Sequence, residues 1–240
     1  MPYENPYIPK CREHPRIILS KEDYILHKGK WEKYFGNNDP LVLEIGTGMG
    51  NYFSYMLTKY TNKNFIGMEL RYKRLYTTAR KADEACEANS SKSPLAPSAV
   101  KRRLGFQSHE DNKRYLILQS YGQSVGDVFA QEELSEIYIY FPDPFCYKQK
   151  QLKHRLLSRD FLKNSFYCTK VGGVLHFKTD HKEYFEDTLQ IVKELGLWVV
   201  QLVSYDYKNS DIYDREAITE FEGLFRGEQE DFYYLILEKK

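Results

Sequence analysis

The chain has 240 residues, of which 42% are hydrophobic and 29% charged, which suits one α/β domain with an extension or at most two small domains. Its net charge of +1 excludes a globally basic nucleic-acid binder, and no run approaches the roughly 18 to 20 apolar residues of a membrane span. The four cysteines include no Cys-x-x-Cys pair, which argues against a zinc site or a disulfide framework and fits a reducing cytoplasm. We therefore expect a cytoplasmic protein with no metal and no membrane partner.

One part of the chain is locally basic. Between Phe145 and Lys170 the only acid is Asp160, and the seven bases are Lys148, Lys150, Lys153, Arg155, Arg159, Lys163 and Lys170. Such a band on a near-neutral chain indicates a local anionic partner. A solvated helix face followed by a basic linker is the alternative.

The apolar runs of the sequence alternate with segments of helical period. This alternation predicts an α/β fold with a mostly parallel sheet and helices on both faces. The predicted strands are Leu41–Ile45, Phe65–Leu70, Tyr115–Leu118, Ile137–Phe141, Gly173–Phe177, Trp198–Ser204 and Phe232–Leu237. The predicted helices are Tyr52–Tyr60, Lys73–Ala88, Ser158–Thr169 and Tyr184–Leu195. Seven strands result, and no helix separates the last two, so we expect an antiparallel C-terminal edge.

Three segments fall outside this alternation. Residues 1–35 precede the first strand and are predicted to be an N-terminal arm to a main domain of residues 36–240. Residues 89–112 contain SSKSPLAPSAVKRRLG, rich in serine, proline and bases, and are predicted to be a loop insertion. Tyr205–Arg215 is a second predicted loop.

The first predicted strand runs into LEIGTGMGN, a glycine-rich turn that precedes a helix. Gly46, Gly48 and Gly50 allow a sharp turn and a close approach of the backbone to a ligand. Their G-x-G-x-G spacing departs from the G-x-G-x-x-G of dinucleotide-binding folds.

Two acids accompany this turn. Glu44 precedes the first glycine by two residues, where it would repel a pyrophosphate and suit a ligand with an amino group and a sulfonium. Glu69 is near the end of the second predicted strand, where an acid can accept hydrogen bonds from both ribose hydroxyls. Together these features resemble class I methyltransferases that use S-adenosylmethionine. A nicotinamide-binding fold is the alternative; Glu69 would serve it equally, whereas Glu44 and the glycine spacing favour the methyl donor.

The fourth predicted strand, IYIYF, ends at an aspartate between two prolines. Pro142 cannot donate to a sheet ladder, and each proline restricts the residue before it to extended conformations. Asp143 is therefore a stiffened carboxylate at a strand end, which is where ligands bind in this fold. The pattern predicts that Asp143 lies beside the reacting group.

At this point the sequence resembles the bacterial tRNA (guanine-N7)-methyltransferases, which modify a guanosine in the variable loop. That family has F-P-D-P-W at the end of a strand, a short basic stretch, G-G-strand-T-D, and T-x-F-E near the C-terminus. The corresponding segments here are FPDPF (141–145), CYKQKQLKHRLL (146–157), GGVLHFKTD (172–180) and TEFE (219–222). The resemblance extends over roughly residues 41–240, with the motifs in the same order.

The resemblance implies a Rossmann-like class I methyltransferase domain that acts on transfer RNA. The sequence leaves open whether the chain acts as a monomer or a homodimer. The resemblance assigns the glycine turn, Glu44, Glu69 and Asp143 to S-adenosylmethionine, with Asp143 nearest the chemistry and the candidate catalytic residue. It assigns a second group to the RNA or the target base: Lys148, Asp180, Thr219, Glu220, Phe221 and Glu222.

The chain departs from the family pattern in four places, one of which is the additional loop at residues 89–112. Phe145 replaces the tryptophan of F-P-D-P-W. The basic stretch is one residue longer, so Tyr147 or Lys148 fills the position of the substrate-binding lysine, and charge favours Lys148. Tyr121-Gly122 stands where the family has Asp-Ala, whose acid meets the adenine amino group, so the Tyr121 hydroxyl or the local backbone would make that contact.

Other interpretations remain open at this level. Asp180 could cap the following helix, Glu222 could be a surface acid of the acidic C-terminal region, and His176 is interpreted as a core residue or as one that supports the site from behind. For the whole chain, the loss of the strand-three acid leaves open a degenerate methyltransferase that binds RNA or a protein. A small-molecule methyltransferase is also open, although the basic band and T-x-F-E argue against it.

Overall fold

The structure is a computed structural model, and it describes residues 5–92, 114–224 and 231–240. The strands are β1 (Ile17–Ile18), β2 (Leu41–Ile45), β3 (Asn64–Glu69), β4 (Tyr115–Gln119), β5 (Leu134–Tyr140), β6 (Thr169–Thr179), β7 (Val199–Ser204) and β8 (Tyr233–Glu238). The helices are α1 (Tyr7–Glu13), α2 (Lys21–Ile25), α3 (Trp31–Phe35), α4 (Asn51–Lys59), α5 (Tyr72–Lys92), α6 (Val125–Val128), α7 (Arg159–Cys168), α8 (Lys182–Leu195) and α9 (Glu220–Leu224). Short 3-10 helices cover Gly122–Ser124, Gln149–His154 and Tyr207–Asn209.

All the described strands join one sheet in the order β1-β4-β3-β2-β5-β6-β8-β7. The strands from β1 to β6 pair in parallel, whereas β8 runs antiparallel to both β6 and β7. The predicted α/β fold with an antiparallel C-terminal edge is confirmed. The predicted number of strands is wrong by one, because β1 has only two residues and is too short to give a periodic signal.

The two faces of the sheet carry separate cores. Leu43 of β2 packs in a core that includes side chains of α3, α7 and α8, while its neighbour Val42 packs in a core with α4 and α5. Successive side chains of a strand point to opposite faces, so a strand covered on both sides reads as a continuous apolar run. This explains LVLEI, and it makes the charged Glu44 within that run unusual.

Residues 5–35, which belong to the predicted arm, pack onto the domain. β1 pairs with β4 at the edge of the sheet. Trp31 is 1% exposed, and its indole Nε1 donates to the carbonyl of Val128 at 3.1 Å. Cys11 is buried, and its thiol donates to the carbonyl of Tyr72 at 3.3 Å. This segment therefore extends the core of the domain.

The predicted insertion begins inside a helix. Because α5 continues to Lys92, residues 89–92 are helical, and residues 93–112 lie outside the described residues. The side-chain amide of Asn89 donates to the carbonyl of Leu57 at 2.9 Å, which fixes this end of α5 against α4. The second predicted loop, Tyr205–Arg215, contains the 3-10 helix Tyr207–Asn209.

Candidate active site

The turn between β2 and α4 has a left-handed backbone at each of its three glycines. The φ angles of Gly46, Gly48 and Gly50 are 80°, 55° and 77°. A Cβ atom at Gly50 would lie 2.7 Å from the Cα of Thr78, so glycine is required for α4 to begin this close to α5. The amide of Gly46 donates to the carbonyl of Met68 at 2.8 Å, which ties the turn to the end of β3.

Glu69 ends β3 and organises the backbone around this turn. It is buried, and its Oε2 accepts from the amide of Gly48 at 3.1 Å. Its Oε1 accepts from the amides of Leu70 and Arg71 at 2.8 and 3.0 Å. A carboxylate has about four acceptor sites, so these bonds leave room for a further donor. The proposed contact of Glu69 with ribose hydroxyls stays a prediction.

Glu44 is a buried carboxyl group with an unpaired oxygen. Its exposure is 4%, and its Oε2 has no hydrogen-bond partner among the described residues. Burial, and then the negative charge of Glu69, raise its pKa to about 8, while the positive charge of Lys178 opposes this rise. Because buried polar groups are almost always paired, this carboxyl group fits a cationic or hydrogen-bond-donating ligand beside the glycine turn.

The loop after β5 holds Asp143 between two residues with unfavourable backbone angles. Phe141 and Phe145 have positive φ angles of 50° and 46°, and each such conformation costs on the order of 1–3 kcal/mol for a bulky residue. The Phe141 amide donates to the Lys178 carbonyl at 2.8 Å, which fixes one end of the loop. Asp143 itself is exposed and makes no hydrogen bond or ion pair within the described residues.

The other end of the loop is fixed by Arg155. Its guanidinium Nε donates to the carbonyl of Pro144 at 2.7 Å, and Nη1 pairs with Asp187 at 2.5 Å. The guanidinium carbon lies 4.7 Å from the ring centre of Tyr184. Arg155 is buried, so among the bases of the band it supports the FPDPF loop rather than an exposed surface.

The C-terminal segment TEFE forms a capping box at the start of α9. The Thr219 amide donates to Oε2 of Glu222 at 2.9 Å, and the Glu222 amide donates to Oγ1 of Thr219 at 3.2 Å. This reciprocal pair is the arrangement that T-x-x-E favours at a helix start. Both residues are buried, with exposures of 9% and 3%, so the interpretation of Glu222 as a surface acid is wrong.

The same segment lies against the glycine turn. A Cβ atom placed on Gly48 would be 3.3 Å from Oε2 of Glu220. The ring of Phe221 stacks on that of Phe141 with 4.5 Å between centroids. The structure therefore brings together the glycine turn, its two buried acids, the FPDPF loop and α9.

Comparison with known proteins agrees with this geometry. Residues 38–235 match the family Methyltransf_4, described as "Putative methyltransferase". A tRNA (guanine-N(7)-)-methyltransferase of Bacillus licheniformis is 31% identical over 221 residues, which cover 92% of this chain and 90% of that protein. This chain belongs to the tRNA (guanine-N(7)-)-methyltransferase family. The Bacillus subtilis enzyme of the same name is 32% identical over 216 residues, covering 90% of this chain and 87% of that protein.

A longer relative also matches. A bifunctional glycosyltransferase/methyltransferase of Fusobacterium nucleatum is 36% identical over 222 residues, or 92% of this chain, and the chain spans about 30% of its length.

Among solved structures, the 16S rRNA methyltransferase KamB gives a TM-score of 0.59 at 12% identity, covering 88% of this chain and 94% of that one. An antibiotic-related methyltransferase gives 0.57 at 15% identity, covering 93% and 96%. At these identities the two structures support the class I methyltransferase fold alone.

Asp180 follows β6, beside the strand that leads to Asp143. It is exposed, and the N-cap of α8 is His181, whose Nδ1 accepts from the Tyr184 amide at 3.2 Å. The alternative role of Asp180 as a helix cap is therefore wrong. Since β5 and β6 are parallel neighbours, their carboxyl ends place Asp143 and Asp180 at the same edge of the sheet.

The remaining predicted residues are exposed. Tyr121 is 64% exposed, while a Cβ on the adjacent Gly122 would lie 2.5 Å from Ile45, so close packing requires that glycine. Tyr147 is 88% exposed and Lys148 is exposed as well. Neither Tyr147 nor Lys148 is thereby favoured for the substrate-lysine position.

Lys178 is a candidate site residue that the sequence interpretation missed. It is 2% exposed, and its ammonium lies 4.2 Å from the ring centre of Tyr140. Its Nζ pairs with Oε1 of Glu222 at 2.8 Å, and burial lowers its pKa. The available signal was a lysine in the apolar strand GVLHFKT, in a position where a charge needs a partner.

His176 lies on β6, where its side chain is half-buried among aromatic rings of the neighbouring strands. Its ring stacks on Tyr138 with 4.4 Å between centroids, and its Nδ1 hydrogen-bonds with the hydroxyl of Tyr234 at 2.7 Å. Burial lowers the pKa of His176 to about 4. The imidazole is therefore neutral in the folded protein at neutral pH.

This depressed pKa makes folding stability depend on pH. Between pH 6.5 and 4 the unfolded chain protonates His176 and the folded chain does not, so the contribution of His176 to the free energy of unfolding falls as the pH falls, by about 3 kcal/mol over this window. Chemical denaturation of wild type and His176→Gln between pH 4 and 7 measures this contribution as the difference in unfolding free energy between the two proteins, which should change by about 3 kcal/mol across the range. His154→Gln, at an exposed imidazole, should differ from the wild type by the same amount at every pH. If the unfolding free energy depended on pH equally in the wild type and in His176→Gln, the assignment of a depressed pKa to His176 would be wrong.

Within residues 5–92, 114–224 and 231–240, no group of three or more His, Cys, Asp and Glu side chains is arranged to hold a metal ion. None of the helices in these ranges is both long and apolar enough to cross a bilayer.

Proposed function

We propose that this chain transfers a methyl group from S-adenosylmethionine to N7 of a guanosine in the variable loop of transfer RNA. The observation that carries the proposal is the buried, unpaired carboxyl of Glu44 beside the glycine turn, at the same sheet edge as Asp143. The relatives named as tRNA (guanine-N(7)-)-methyltransferases support the substrate.

The residues at the turn fit this cofactor, which supplies a methyl group on a positively charged sulfur. We assign the ammonium group of its amino-acid part to Glu44, because an opposite charge would stabilise the ionised carboxylate there. The ribose hydroxyls are assigned to Glu69. The glycine backbone gives close approach, and Tyr121 is left to contact the adenine through its hydroxyl or backbone.

The chemistry on the RNA side needs orientation more than acid–base catalysis. Guanine N7 carries a lone pair in the ring plane, so no proton has to be removed before it attacks the methyl carbon. Asp143 and Asp180 are assigned to the N1–H and amino edge of the base, which would align N7 and exclude water. Adenine lacks those donors and would leave the carboxylates unpaired, which selects guanine.

The exposed bases of the band are assigned to the RNA backbone. Lys148, Lys150, Lys153 and Lys163 have exposed side chains on the segment that follows the FPDPF loop. Contacts of this kind with phosphates fix the position of the protein on the RNA, but they do not discriminate between base sequences. The proposal places the reaction in the cytoplasm, with a monomer or a homodimer as the acting species.

The proposal is tested by incubating the protein with unmodified transfer RNA and S-adenosylmethionine labelled in its methyl group. Cleavage at N7-methylguanine should then map the label to a variable-loop guanosine. RNA binding without transfer would favour the degenerate binding module, and transfer to small molecules alone would favour the small-molecule enzyme.

The basic segment makes a separate prediction. Lys150→Ala/Lys153→Ala should weaken RNA binding and reduce the slope of log K against log salt by about 1.5, because each lost phosphate contact accounts for about 0.7 to 0.9. Binding isotherms at several salt concentrations measure this. The matched variant Lys33→Ala/Lys193→Ala removes two exposed lysines outside the band and should keep the wild-type slope. Equal slopes for both variants would remove the band from the RNA interface.

A further inference from the structure

The ion pair between Lys178 and Glu222 lies inside the protein. Each side chain is 2% exposed, and the Nζ–Oε1 distance is 2.8 Å. The second oxygen of Glu222 accepts from the Thr219 amide at 2.9 Å. Both oxygens of this carboxylate are thus engaged by the protein itself, and a direct contact with RNA would first require this arrangement to open.

Aromatic rings enclose the ammonium group of Lys178. Its Nζ lies 4.2, 5.1 and 5.6 Å from the ring centres of Tyr140, Tyr207 and Phe141. Ring faces attract a cation, but they do not replace a carboxylate. Removal of one partner of such a buried pair leaves an uncompensated charge, whereas removal of both is often tolerated.

The ion pair connects β6 to α9, a helix that is too short to be stable by itself. α9 has five residues, fewer than an isolated helix needs to be stable in water. Its neighbouring side chains reach the candidate site, Glu220 at the glycine turn and Phe221 on the ring of Phe141. The site therefore depends on where the Lys178 contact holds α9.

We propose that Lys178 is a positioning residue that holds α9 over the active site, and that Glu222 acts through Lys178 rather than by touching the RNA. The family resemblance gives Lys178 no role. It assigns Glu222 to the RNA or the target base, whereas here Glu222 contacts Lys178. The kinetic part of the test rests on the proposed function.

Three variants and a control separate this role from the alternatives. Lys178→Met leaves the Glu222 carboxylate buried without its cation. Glu222→Gln leaves the ammonium unpaired but keeps an oxygen for the Thr219 amide, since glutamine also completes a capping box. The double variant removes both charges and keeps the cap. Lys193→Met removes an exposed lysine of α8 as the control.

We expect Lys178→Met to lower the Tm by about 10 °C and kcat on transfer RNA about tenfold, with KM for RNA changed less than threefold. The double variant should recover most of both losses. If it recovers the Tm but stays as slow as Glu222→Gln, then Glu222 touches the substrate and the proposal is wrong. If Lys178→Met lowers only the Tm, the pair is structural and the proposal is equally wrong.

Amide hydrogen exchange of residues 219–224 gives a readout that needs no RNA. Exchange should be faster in Lys178→Met and return towards the wild-type rate in the double variant. Unchanged exchange in Lys178→Met would overturn the positioning of α9, even if the wild type transferred no methyl group to transfer RNA. An inactive wild type with the expected exchange pattern would instead overturn the proposed function alone.

Discussion

Asp143→Ala is expected to lower kcat about 100-fold while leaving the Tm within about 2 °C of the wild type. Asp143 is exposed and has no hydrogen bond or ion pair within the described residues, so its removal costs the fold little. The loss of rate follows from its place between two strained phenylalanines, because strain of this kind is maintained where it holds a group for function. Single-turnover methyl transfer and thermal denaturation measure the two quantities.

Two further variants make this result specific. Asp143→Asn keeps the size and one acceptor oxygen and should retain more activity than alanine but less than the wild type. Asp211→Ala removes another exposed acid and should leave kcat unchanged. If Asp143→Ala turned over at the wild-type rate, the carboxylate would have no part in alignment, and the strain in the loop would need another explanation.

The elements that the sequence predicted well are those whose signal is local. Leu41–Ile45 is observed as predicted because a strand buried on both faces needs an unbroken apolar run, and the glycine turn that follows ends it. β1 was missed because two residues carry no period, and its pairing with β4 exists only once the sheet has formed. Similarly, α5 extends beyond Ala88 with the help of a contact from Asn89 to α4, which no local pattern reveals.

The features of the candidate site can also be divided into those with a local signal in the sequence and those without one. The run LEIGTGMGN predicts a sharp glycine turn with an acid two residues before it, and the structure has this turn, whereas the burial of Glu44 follows from the packing of the sheet. The Lys178–Glu222 pair joins residues 44 positions apart, and it forms only because the C-terminal segment returns over β6. In the loop after β5 the local preference of the sequence and the observed backbone disagree. A residue before proline favours an extended backbone, yet Phe141 has a φ of 50° and is held there by a backbone hydrogen bond and by the ring of Phe221.

Glu44→Gln is expected to stabilise the free protein at alkaline pH and to weaken cofactor binding about 100-fold. The pKa of Glu44 is about 8 in the folded protein, against an ordinary value of 4.5. Between these two values the unfolded chain is ionised and the folded chain is protonated, so the folded state binds more protons. The contribution of Glu44 to stability therefore falls as the pH rises from 4.5 to 8, and it is this loss that glutamine removes.

The stability part is measured by thermal and chemical denaturation at pH 4.5 and 8.5. The two proteins should be similar at pH 4.5, where the wild-type carboxyl is protonated in the folded state and resembles an amide. At pH 8.5 the variant should be more stable by up to about 5 kcal/mol. Glu216→Gln, at an exposed acid, should follow the wild type at both pH values. A variant that was less stable at pH 8.5 would show that Glu44 has a partner in the free protein.

Binding of S-adenosylhomocysteine, which keeps the ammonium group, tests the other part by calorimetry in buffers of different ionisation enthalpy. Near pH 7 the free wild-type carboxyl is mostly protonated, and a cation placed beside it favours the ionised form. Binding to the wild type should therefore release up to one proton, and binding to Glu44→Gln should release none from this position. Proton release with weakened affinity in the variant would locate the ammonium at Glu44, whereas equal release by both proteins would place it elsewhere. The same buried carboxyl would then destabilise the free enzyme and bind its cofactor, because the charge that is costly without a partner is the charge that attracts the ligand.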